Sequence, residues 1–319
     1  MSAPGKLMLL GDHTVVYGQP CLVTSVSSRI KVNIQSMSDE VLNITIPDLE
    51  QPIKKSINDL LNNRVSENTR FVESAIRIFY QKYSVTSGLK ITTQTEPYFK
   101  YGLGSSAAVT VATIFGLNIL YGKNLGLKEI FNLACSAVLH VQGLGSGFDV
   151  AAATYGGVLY YVKPGKIIEK LNLTYLPIVV AYSGQKADTV SLVKNVAEKF
   201  KQYPDKVKRI CEACGKLVEH AKKSLMGKDW ERMGLYMDMN QEYLRDMGVS
   251  TEKLETLILA AKKAGAWGAK LSGAGGGDCT IAIAPKDKVE DVKQAINLAG
   301  GKVIDVTTNV EGVRIEKII

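Results

Sequence analysis

Three glycine clusters are the stretches of this sequence whose residue types and spacing could do chemistry. The first, "YGLGSSAAVT" at 101–110, sets glycines and serines directly before a run of small and apolar residues. A phosphate requires converging N–H donors, close backbone approach and, preferably, the positive end of a helix dipole. Gly102 and Gly104 permit positive φ and close approach, Ser105 and Ser106 add hydroxyls, and Ala107 and Ala108 begin a compact helix. A plain tight turn is the other reading of the same residues. Neither GxxxxGK[ST] nor a strand leading into a clean GxGxxG occurs.

The second cluster, "GLGSGFDVAAATYGG", carries Asp149 beside a glycine turn. That carboxylate reads either as a helix N-cap or as a base or anchor for an attacking hydroxyl. The third, "SGAGGGDC" from Ser272 to Cys279, has four glycines in five positions from Gly273 to Gly277. So much glycine costs conformational entropy, and a turn alone would need only one or two. The loop is expected to lie against a ligand or against the first glycine loop.

These loops must be positioned by a sizeable scaffold. The chain has 319 residues, of which 46% are hydrophobic and 22% charged, enough for one large or two medium domains. "KLMLLG", "CLVTSVS", "IKVNIQ" and "VLNITI" read as strands, followed by a helix over 66–83 with Ser66 placed to cap it. "GLKITTQT" reads as a strand, "PYFKYGLGSSAA" as a loop opening a helix to about Tyr121, and 127–142 as another helix. A strand at 176–184, three or four long helices between Val190 and Gly265, a helix from about Lys286 and short strands complete an α+β pattern. A domain boundary is expected near 165, giving units 1–165 and 166–319.

The N-terminal apolar run is too short for a signal-peptide core, and 107–120 is too short and polar to span a membrane, so a cytoplasmic protein is expected. Five cysteines suggest no disulfide framework, and "CEAC" at 211–214 is expected on a helix surface. His13, His140 and His220 are scattered, against a zinc site. The net charge of +8 admits a polyanion or a small acidic substrate, but the basic residues stand mostly beside acidic ones. No aromatic–arginine interleaving of the kind that binds nucleic acid is present.

"PGKLMLLGDHTVVYG", "GLGSSAA" and "SGAGGGDC", in that order, resemble the three motifs of the GHMP small-molecule kinases. The resemblance spans nearly the whole chain. It implies an N-terminal domain of ribosomal-protein-S5-like fold and a ferredoxin-like C-terminal domain, with ATP and an acidic small-molecule substrate between them in a monomer or homodimer. It implies that ATP phosphates sit on Gly102, Leu103, Gly104, Ser105, Ser106 and Ala107, with the Ser106 hydroxyl near Mg²⁺. By the same resemblance Lys6 steadies the transferring phosphoryl group and Asp149 orients or deprotonates the acceptor. His13, Ser146, Gly147, Gly275 and Gly276 would line the substrate, and Lys186, in "SGQKAD", is a further candidate cation.

Within the family, "GDHTVVYG" is similar to the mevalonate kinases, where glutamate is commoner than Asp12. "VQGLGSGFDVAAATYGG" and "SGAGGGDC" with Asp278 are more similar to the phosphomevalonate kinases, so phosphomevalonate is the expected acceptor and mevalonate the alternative. "CSAVLHVQG" lacks the acidic residue with which mevalonate kinases help hold the metal.

Overall fold

The computed structural model describes residues 1–47, 51–62 and 65–316; the last three residues of the expected second unit lie outside them. The first part of the chain forms β1 (Ser2–Leu10), β2 (Cys21–Met37), β3 (Val41–Thr45), β4 (Ile53–Ser56), α1 (Ile57–Asn62), α2 (Arg70–Tyr83), β5 (Gly88–Thr95), α3 (Ser105–Leu120), α4 (Leu127–Gln142), α5 (Phe148–Tyr155), β6 (Val158–Val162) and β7 (Ile167–Leu171). These strands make a seven-stranded sheet in the order β4-β3-β5-β2-β6-β7, with β1 paired to β2 beside that path.

The two strands expected over 21–35 are one 17-residue strand, β2. Its first half pairs with β1 and β6 and is buried almost throughout. In its second half Ile30, Val32 and Ile34 point inward while Lys31, Asn33 and Gln35 face out, the period of two of a strand with one wet face. Ser66 does not cap a helix. It precedes a 3-10 turn at Glu67–Thr69, and α2 begins at Arg70.

Beyond β7 the chain crosses to a second sheet. It forms β8 (Ile178–Tyr182), α6 (Thr189–Gln202), α7 (Pro204–Gly227), α8 (Trp230–Met247), α9 (Glu252–Lys263), β9 (Gly268–Ser272), β10 (Cys279–Ile283), α10 (Val289–Leu298) and β11 (Lys302–Ile304). The order β11-β8-β10-β9 is antiparallel throughout, the arrangement of a ferredoxin-like β-α-β-β-α-β unit. The crossing falls between Leu171 and Ile178, and the tail then returns to the first sheet through bridges at Thr308, Glu311 and Arg314. Buried Arg29 holds that tail, donating to the carbonyls of Glu311 at 3.0 Å and Gly312 at 2.6 Å.

Cys211 and Cys214 correct the surface placement expected of "CEAC". Both are buried, because they continue the apolar stripe of α7 formed by Val207, Ile210, Leu217, Val218 and Ala221. The Asn240 amide donates to the Cys214 sulfur at 3.3 Å, and the cysteines are all free thiols.

Candidate active site

The first glycine cluster folds as the sequence requires. Gly102 and Gly104 both have φ of +84°, and Gly104 stands at the N-terminus of α3, where no side chain caps the helix. The leading N–H groups of α3, from Ser105, Ser106 and Ala107, therefore present an anion-binding helix end. Ser105 is exposed and Ser106 partly so, while Leu103 and Ala107 are buried and anchor the loop from below.

The β1 strand holds this loop in place. A register shift at Pro4/Gly5 breaks its ladder with β2, and beyond it the Lys6 N–H donates to the Leu103 carbonyl at 2.9 Å. A Cβ on Gly5 would stand 2.8 Å from that carbonyl oxygen, so only glycine permits the approach. The Lys6 ammonium donates to the Gly102 carbonyl at 3.0 Å, and the stem of Lys6 lies against Gly104, where a Cβ would meet its Cγ at 3.1 Å.

Asp149 enters from the first turn of α5, introduced by Gly147 at φ +84°. Its neighbour Phe148 lies under the Lys6 ammonium, 5.9 Å from ring centroid to nitrogen. Burial raises the Asp149 pKa above the ordinary aspartate value, opposed by the Lys6 charge and by the Val150 N–H, which donates to Oδ1 at 2.9 Å. Asp149 is thus not an N-cap: its carboxylate sits inside the helix's first turn, partly buried and facing a lysine. Ser146 is buried and its carbonyl accepts from the Tyr161 hydroxyl at 2.5 Å. Gly147 lies tight against the same hydroxyl.

The third cluster rests against the first loop through its last two residues. The Cys279 thiol donates to the Tyr101 carbonyl at 3.0 Å, and a Cβ on Gly102 would lie 2.5 Å from the Asp278 carboxyl carbon and Oδ2. Burial raises the Asp278 pKa, against the Ala187 N–H, Lys6 and Lys186. The Lys6 charge thus favours the ionised form of both Asp149 and Asp278.

Other expected residues take different places. His13 is buried, with Nε2 2.8 Å from the Ala274 carbonyl, and burial lowers its pKa. It tethers the turn after β1 to the third loop, and its lowered pKa makes it a poor source of positive charge. Gly275 and Gly276 pack on Val249 and Leu192; a Cβ would stand 2.2 Å from the Val249 carbonyl oxygen at Gly275 and 2.7 Å from the Leu192 Cδ1 at Gly276. Lys186 is exposed in the turn between β8 and α6. Asp12 and Lys270 were not singled out in the sequence as site residues. Asp12 accepts from the Lys270 ammonium at 2.6 Å and from the Gly273 N–H at 2.7 Å, fixing the start of the third loop. Asp278 stands out in the sequence only as a family marker.

Among the described residues no three His, Cys, Asp or Glu side chains gather as a metal-binding group. Magnesium does not require such a cage, since it is commonly held by one or two protein oxygens together with phosphates and water. The Ser106 hydroxyl, in the first turn of α3, is an oxygen donor of the kind magnesium accepts.

A two-sheet α+β fold whose glycine loop, at an uncapped helix N-terminus, holds a buried lysine is an arrangement suited to a phosphoryl-transfer protein. The family model described as "GHMP kinases N terminal domain" matches residues 70–157, and "GHMP kinases C terminal" matches 217–302. The chain is similar to the mevalonate kinase of Pyrococcus furiosus, 36% identical over 100% of this chain and 98% of that protein. It is 38% identical to the mevalonate kinase of Pyrococcus horikoshii, over 99% of this chain and 97% of the relative. The crystal structure of Methanococcus jannaschii mevalonate kinase superposes with a TM-score of 0.82 at 25% identity, covering 96% of this chain and 97% of that one. The chain belongs to the GHMP kinases, ATP-using phosphotransferases acting on small molecules.

These full-length similarities overturn the expectation of a phosphomevalonate kinase. The physical reason lies in what the short motifs report. "GSGFD" and "GGGDC" shape backbone here, Gly147 packing on the Tyr161 hydroxyl and Asp278 lying against Gly102, and they do not by themselves read the acceptor.

Proposed function

We propose that the protein transfers the γ-phosphoryl group of ATP to the primary hydroxyl of mevalonate. The observation that carries this reading is that Asp149, its pKa raised by burial, lies within the electrostatic reach of Lys6, whose ammonium is bound to the glycine loop at the Gly102 carbonyl. A neutral hydroxyl gains from a base of raised pKa, whereas a phosphomonoester, with a second pKa of about 6, is already anionic near pH 7.

ATP phosphates are held by the N–H groups of residues 102–107 and the α3 dipole. Ser106, together with the nucleotide phosphates, would hold magnesium, which would neutralise charge developing on the transferred group. Lys6, its ammonium bound to the Gly102 carbonyl at 3.0 Å, steadies the transferring group and the acceptor oxygen. Asp149 orients the hydroxyl and accepts its proton as the new oxygen–phosphorus bond forms and the bond to the ADP oxygen breaks. Ser146, Gly147 and His13 shape the acceptor side, His13 by holding the third loop through Ala274.

A coupled ADP-release assay with Mg·ATP, run in parallel on mevalonate and 5-phosphomevalonate, tests this. Turnover on mevalonate is expected. Turnover confined to 5-phosphomevalonate would refute the proposal.

A further inference from the structure

Asp278 is an unusual residue to find against a phosphate loop. Its φ of +54° lies in the left-handed region, where a non-glycine residue is strained, and it follows Gly275, Gly276 and Gly277, all at positive φ. Its backbone is fixed on both sides, the N–H donating to the Gln185 carbonyl at 2.7 Å and the carbonyl accepting from the Ser183 N–H at 2.8 Å. Its side chain is fixed as well, because Oδ1 accepts from the Ala187 N–H at 3.2 Å. The remaining oxygen, Oδ2, lies where a Cβ of Gly102 would be only 2.5 Å away. A carboxylate so held cannot swing clear of whatever occupies the loop.

The nearby cations do not cancel it. Lys186 is exposed and screened by solvent, and Lys6 is shared with Asp149. We propose that Asp278 is a specificity-determining residue that makes the glycine loop select metal-loaded nucleotide over the free polyphosphate. A bare triphosphate brings a dense negative charge against a fixed carboxylate in a partly desolvated place, whereas a divalent cation on the phosphates offsets much of that charge and weakens the repulsion. This inference rests on the reading of residues 102–107 as the ATP phosphate site.

The test is calorimetric titration of the full-length protein with ATP in the absence of acceptor, once with Mg²⁺ and once with EDTA. The wild type, D278N and D278G are compared. D278N keeps an acceptor for the Ala187 N–H, and D278G relieves the left-handed backbone, so folding of one does not depend on the other. The wild type is expected to bind Mg·ATP at least tenfold more tightly than free ATP. Both variants should narrow that ratio at least threefold, chiefly by tighter binding of free ATP. A merely structural Asp278 would weaken both forms alike, and an unchanged ratio in both variants would overturn the inference while leaving the nucleotide site intact. No binding of ATP by the wild type in either condition would overturn the site reading and the inference with it.

Discussion

The Lys270 ammonium lies 2.6 Å from the Asp12 carboxylate, and neither side chain is exposed to solvent. The pair joins the turn after β1 to β9, so it ties the sheet that carries Lys6 to the strand that launches the third glycine loop. Lys270 also donates to the Leu271 carbonyl, and the second Asp12 oxygen accepts from the Gly273 N–H. Removing one partner leaves an uncompensated buried charge. Lys270→Met should therefore destabilise by about 3–5 kcal/mol, and adding Asp12→Asn should recover part of the loss. Urea denaturation of the two variants checks the order.

Gly102 and Asp278 compete for one space. Gly102→Ala combines a φ of +84° with a Cβ placed 2.5 Å from the Asp278 carboxyl group. We expect kcat/KM for ATP to fall at least about tenfold, a loss of about 1.4 kcal/mol of transition-state binding. In the double variant Gly102→Ala with Asp278→Gly the collision disappears and only the backbone strain remains. Part of the activity should return, and the non-additivity measures the contact.

Asp149 should cost stability as it supplies chemistry. Its carboxyl pKa is raised in the fold by burial, so the folded state binds the proton more tightly than the unfolded chain does. Stability contributed by this group is present at low pH and is lost as pH rises through the raised value. Asp149→Asn should then stabilise the protein near neutral pH by about 1 kcal/mol while lowering kcat by about 10²–10⁴-fold. Thermal melts and steady-state rates on the same preparation test both halves.

His13 gives the opposite pH sign. Burial lowers its pKa, so below about 6.5 the unfolded chain takes up a proton that the folded site resists. The His13 contribution is fully present above that value and falls away as pH drops through the folded pKa. His13→Gln keeps a donor for the Ala274 carbonyl and removes the titration. Its urea midpoint should decline less than that of the wild type between pH 7.5 and pH 5.5.

Much of this site is legible from residue type. Glycines at 102, 104 and 147 announce left-handed backbone, and each adopts it. The α+β class and both loop-to-helix transitions also follow from local pattern, because strand alternation and helix periodicity are local properties. What is not legible is pairing at long range. Asp12 and Lys270 are 258 positions apart, and nothing in either segment points to the other. His13 reads as a cation until the fold buries it against Ala274. The "CEAC" pair reads as surface because its spacing draws attention away from the apolar stripe that it completes. The acceptor is illegible for a related reason: Asp278 and the "GSGFD" turn read as marks of a substrate, whereas Asp278 lies against Gly102 of the first glycine loop and Gly147 packs on Tyr161.

The most direct test of the central claim is the phosphorus NMR spectrum of a stoichiometric mixture of protein, Mg·ATP and mevalonate. The proposed function predicts loss of the ATP γ resonance, appearance of ADP, and one new phosphomonoester resonance in equal amount. ADP matched only by inorganic phosphate, or a new diphosphate pair arising solely when 5-phosphomevalonate replaces mevalonate, would contradict it.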